Sequence, residues 1–86
     1  MNEACDWLRM LKQRPQAVSL QEMNALLTAA GFQRKLRLEH PIPFYVHPQL
    51  PRERLTLRVD ISGNVSAGAV EAAFGAVGVV VVCDDD

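Results

Sequence analysis

Residues 32–61 read FQRKLRLEHPIPFYVHPQLPRERLTLRVDI, and they hold three alternations of apolar and polar side chains. In Phe32–His40, Leu36 and Leu38 fall on one side while Lys35, Arg37 and Glu39 fall on the other. Ile42, Phe44 and Val46 then alternate with Tyr45 and His47, between Pro41, Pro43 and Pro48. After Pro51, Leu55, Leu57, Val59 and Ile61 alternate with Arg54, Thr56, Arg58 and Asp60. Successive side chains on a strand point to opposite faces, so a period of two predicts three strands, each with an apolar face turned to a core. Prolines at both ends of the middle run predict a short edge strand or one with a bulged entry. Gly63–Asn64 predicts the turn that follows the third strand.

Upstream the period is helical. Ala4, Trp7, Leu8 and Leu11 recur at i, i+3, i+4, i+7, which predicts an amphipathic helix over 3–14 that stops at Pro15. Ser19 followed three residues later by Glu22 forms a capping-box signature, and Val18 can staple against Met23. Met23, Leu26, Leu27 and Ala30 then mark the buried stripe of a helix over 20–30, with Gly31 as its left-handed C-terminal residue. Downstream, Ser66 is placed to cap a helix over 67–77, with Val65 and Val70 as its staple. Val70, Ala73, Phe74 and Val77 would face inward, and Gly78 would end it. Val79–Cys83 is β-branched and does not alternate, which predicts a last strand covered on both faces. The expected order is α-α-β-β-β-α-β, an α+β fold with helices packed on a small, mainly antiparallel sheet.

Eighty-six residues suit one domain: an N-terminal helix within 1–15, a core over 19–83 and an acidic tail at 84–86. Such a chain buries about two-thirds of its unfolded surface, so a second copy paired through Val79–Val82 is a plausible supplement. Apolar residues at 49% and charged residues at 22% exclude global disorder. Glu3, Asp6 and Arg9 interrupt any apolar leader. Ala67–Cys83 is short for a membrane span and holds Glu71, so no membrane contact is expected. Cys5 and Cys83 are too few for a disulfide framework and lack metal-ligand spacing. Both are expected to be reduced in a cytoplasmic protein.

Charge is divided along the chain. Residues 1–58 carry nine basic and five acidic side chains, a net +4; residues 59–86 carry none and five, a net −5. If the apolar alternation marks the inner face, the outer face of the sheet carries Lys35, Arg37, Tyr45, His47, Arg54 and Arg58. Cations around an aromatic ring and a histidine suit an acidic protein surface, or RNA whose bases stack while arginines hold phosphates. A sequence pI near 6.1 is low for a nucleic-acid domain. Trp7, Leu8 and Leu11 can either cover this face or join the main core. No glycine-rich phosphate loop follows a strand, and no cofactor or metal motif is present. Among nucleophile and base pairings, Cys5 would need a histidine beside it.

Several short motifs carry a family resemblance. Ala30-Gly31-Phe32, Tyr45-Val46-His47-Pro48, Leu55-Thr56-Leu57-Arg58-Val59 and the polar helix entry Ser62–Gly68 together resemble the HicA-like toxin domain over about residues 20–78. That family is a small ribonuclease with a double-stranded-RNA-binding-type fold. Its catalytic histidine follows a Gly-Ser turn, where this chain reads Leu38-Glu39-His40-Pro41. The resemblance therefore implies His40 and His47 as the only candidate bases, with Arg37 or Arg54 as the cation. The residues themselves favour a non-enzymatic interaction module, an inhibitor or adaptor that binds an acidic protein or ribonucleoprotein partner through the basic sheet face.

Overall fold

The computed structural model describes residues 3–83, apart from the side chains of Arg37, His40 and Pro41. Helices α1 (Glu3–Lys12) and α2 (Leu20–Ala29) precede strands β1 (Gln33–Arg37), β2 (His40–His47) and β3 (Leu50–Thr56), and helix α3 (Ala67–Val80) follows. The strands form one antiparallel sheet in the order β1-β2-β3. This is an α+β fold of two layers, as expected. Its shortest Cα extent is 17 Å, room for one helix layer on one face of the sheet.

Helix α2 is built as its sequence predicts. The Glu22 N–H donates to Ser19 Oγ and the Ser19 N–H to Glu22 Oε1, each at 3.1 Å, which closes the capping box. Arg14 grips the same carboxylate with both guanidinium nitrogens. Val18 and Met23 are fully buried together as the staple. At the other end Gly31 takes a φ of +97°, the left-handed region that a side chain disfavours. Helix α1 lies against α2, and its Ala4, Leu8 and Leu11 join the same core as Met23, Leu26, Leu27, Tyr45, Leu55, Leu57, Val70, Ala73 and Val77. Trp7 is half-buried on the edge of that core. Of the two placements open to α1, packing into the main core is the one found.

Several expectations are corrected. The last strand is absent: α3 runs through Gly78 to Val80, and Val81 turns extended while its N–H still reaches the Val77 carbonyl. Valine costs a helix only about half a kcal/mol. No strand pairs with 79–83 among the described residues, so nothing outweighs the helical ladder. Ser66 occupies the N-cap position of α3 but makes no side-chain cap, although its Val65–Val70 staple is buried.

The third alternation is only partly a strand. β3 begins at Leu50, tolerates Pro51 because it is an edge strand, and ends at Thr56. Leu55 and Leu57 are buried, whereas Val59 is exposed and Ile61 is 105% exposed. The chain turns there because Asp60 Oδ1 accepts the N–H groups of Ser62 and Asn64, each at 3.0 Å, and the Ser62 hydroxyl at 2.7 Å. These bonds, that to Ser62 foremost, hold the Asp60 carboxyl below its ordinary range. The predicted inner residues Leu36, in β1, and Leu38, in the turn after it, are 62% and 107% exposed.

The cysteines are a further correction. Cys5 on α1 and Cys83 after α3 form a disulfide with Cα atoms 5.6 Å apart, across a sequence separation of 78. Spacing along the chain carries no trace of this, because the fold alone brings the two ends together.

Candidate protein-docking face

β2 is the central strand, and its facing is the reverse of the expected one. Tyr45 is 1% exposed in the core, whereas Ile42, Phe44 and Val46 lie outside it. Residues 42–46 are apolar on both sides, so alternation alone does not choose between them. Neighbouring strands and the helix make the choice. Tyr45 stands opposite Arg34 and Leu55, and Phe44 opposite Lys35 and Thr56. The Tyr45 hydroxyl donates to Asn24 Oδ1 on α2 at 2.5 Å, so its ring fills the core while its polar tip is satisfied. Burial pushes the Tyr45 phenol above its ordinary value, and the nearby Arg34 opposes that rise. The pairing register slips between Lys35 and Arg37, opposite the prolines of β2, so the expected bulged entry is present although the strand is not an edge.

His47 also turns inward. Its Nε2 lies 3.1 Å from the Ala30 carbonyl oxygen, and its Nδ1 accepts the Gln49 N–H at 3.0 Å. With Nδ1 an acceptor, the ring proton sits on Nε2 and is donated to Ala30. The ring packs edge-on to Phe32 with centroids 4.8 Å apart. His47 therefore closes the C-terminal end of α2 against the β2–β3 turn, and both its nitrogens are engaged inside the protein. As site residues, Arg37 and His40 lie outside the described side chains.

What remains on the outer face is a row running Lys35, Phe44 and Thr56 across the three strands. The Arg54 guanidinium carbon stands 5.3 Å from the centre of the Phe44 ring, within cation–π range. Ile42 and Val46 extend the apolar strip to either side of Phe44 on the same strand face. None of the three belongs to the core or packs against it. Arg58 follows β3, exposed, with its carbonyl bonded to the Ser66 N–H at 2.7 Å. The structure thus keeps Lys35 and Arg54 together, leaves Arg58 at the margin, and moves Tyr45 and His47 to the other side. Phe44 was missed as a surface residue. Its signal was the equal apolarity of both faces of β2, which made the inner assignment arbitrary.

Among the described residues no three His, Cys, Asp or Glu side chains are grouped to hold a metal ion, and no helix is long and apolar enough to cross a membrane. In comparisons with known proteins, no family model, no curated protein and no solved structure matches this chain.

Proposed function

We propose that this chain is a non-enzymatic docking module, an inhibitor or adaptor that seats the outer face of its sheet on an acidic protein surface. The observation that carries the reading is the Arg54–Phe44 stack on the outer face of the sheet, with Lys35 opposite Phe44. An apolar strip supplies desolvated area, and the cations around it choose an acidic partner and speed the encounter. The apolar strip favours a protein over RNA. Tyr45 is withdrawn from the face, which leaves a single ring, already stacked under a guanidinium, where a nucleic-acid platform would offer several.

A HicA-like ribonuclease is the competing reading. Of its two candidate bases, His40 and His47, the second would have to give up both its hydrogen bonds before acting, and the docking reading requires no such change. Cytoplasmic placement rested on the interrupted apolar leader, and the Cys5–Cys83 disulfide counts against it, because disulfides persist in oxidising compartments.

The test is affinity purification from the native cell with wild-type chain and with a Lys35→Glu, Arg54→Glu double variant, followed by rebinding of each identified protein in pure form. The variant should retain its circular dichroism spectrum and weaken binding by about tenfold or more. A pure partner bound equally by both chains, or recovery of nucleic acid alone, refutes the reading.

A further inference from the structure

On the helix side of the sheet, where α2 leans over β1 and β2, lies an open groove of about 300 Å³ walled by Leu20, Gln21, Asn24, Arg34, Pro43 and Tyr45. Arg34 shares the inner side of the sheet with Tyr45, so this groove faces away from Lys35 and Phe44 and is independent of the docking surface. Among the described residues that line it, Arg34 carries the single charge and there is no carboxylate.

One hydrogen bond sets the direction of its amide donor. Arg34 stands opposite Tyr45 across the β1–β2 pair, and the Tyr45 hydroxyl donates to Asn24 Oδ1. The Asn24 acceptor is thereby used, which leaves its Nδ2 amide as a donor. Arg34 has five N–H donors in a fixed fork, and its side chain lines the groove. The groove therefore presents one positive charge and an amide donor, beside the apolar walls of Leu20, Pro43 and the Tyr45 ring.

We propose that this groove is a binding site for a single carboxylate, held in bidentate fashion by Arg34 with Asn24 Nδ2 as a further donor. One cation matches a monoanion and would leave a phosphate dianion half-neutralised. A volume at the low end for ligand sites suits a carboxylate on a short apolar stem. Two sources carry that chemistry, a free small acid and the C-terminal carboxylate of a peptide.

The experiment follows the side-chain resonances of Arg34, Asn24 and Gln21 in the full-length chain while sodium acetate, sodium phosphate or sodium chloride is added at constant ionic strength. Acetate should shift them saturably, with a dissociation constant on the order of 1 mM, as befits a ligand of so few atoms. Arg34→Gln, which alters an exposed side chain and leaves the core intact, should abolish the shifts. A peptide without acidic side chains, with its C-terminus free or amidated, then assigns the source. Tighter binding by the free form than by acetate identifies a chain terminus, and parity with acetate identifies a free acid. Shifts that do not saturate, that survive Arg34→Gln, or that phosphate or chloride reproduces equally overturn the proposal.

Discussion

Reducing the Cys5–Cys83 disulfide should remove a large share of this protein's stability. The bond closes a loop whose ends are 78 residues apart in sequence. In the chain-entropy relation, a loop of that length restricts the unfolded ensemble by about 4.5 kcal/mol at 25 °C. A domain of this size is typically stable by only about 4–13 kcal/mol, so the loss is comparable with the smaller of those totals. At about 4–8 °C per kcal/mol, the unfolding midpoint should fall by roughly 20–35 °C. The assay is thermal unfolding followed by far-UV circular dichroism, with and without reductant, alongside a Cys5→Ser, Cys83→Ser double variant without reductant. Reduced wild type and variant should unfold together, well below the oxidised chain, and the denatured oxidised chain should show no free thiol. Free thiols in the unreduced protein would refute the pairing. A midpoint shift below about 4 °C, equivalent to about 1 kcal/mol or less, would refute the reasoning from loop length.

Three further outcomes test the fold around α2 and the sheet. The Arg14 guanidinium, with help from the Ser19 backbone, holds the Glu22 carboxyl down at about 2. Its contribution to stability should be complete above the unfolded value of about 4.3 and be lost as pH falls toward 2. Glu22→Ala should therefore cost about 1 kcal/mol at neutral pH and much less near pH 2 in denaturant titrations, and a pH-independent cost would contradict the assignment. Gly31→Ala should destabilise by about 1–2 kcal/mol, since φ is +97° and the new Cβ would stand 3.0 Å from His47 Nε2; an unchanged unfolding midpoint would contradict this. Tyr45→Phe should cost about 1 kcal/mol for the lost hydroxyl bond, whereas Phe44→Ser should cost less than Tyr45→Ser, the reverse of what the simple alternation of β2 predicts.

Local signals proved sufficient wherever one short segment holds all the partners. The Ser19–Glu22 box, the Val18–Met23 staple and the left-handed Gly31 involve residues a few positions apart, so α2 was readable from end to end. The same holds for α1, while α3 starts at Ala67 as expected but without the Ser66 side-chain cap. Each of the three alternations likewise marked a strand region. The candidate face was legible only in part, because Lys35 and Arg54 come from strands whose polar sides are plain, while β2 is apolar on both sides.

Composition and spacing by themselves determined an α+β chain of helix, helix, three strands and helix, with the lysines and arginines confined to residues up to Arg58. Tertiary structure decided what depends on partners distant in sequence. Which side of β2 enters the core follows from Asn24 and Leu55 meeting Tyr45, not from anything within β2. His47 is internal because the Ala30 carbonyl and the Gln49 N–H claim its two nitrogens. Val79 and Val80 remain helical because no strand offers them a ladder. Cys5 and Cys83 pair because packing of α1 and α3 on α2 brings the chain ends within bonding reach. In each case the deciding free energy is a contact between segments, to which the alternation within one segment is blind.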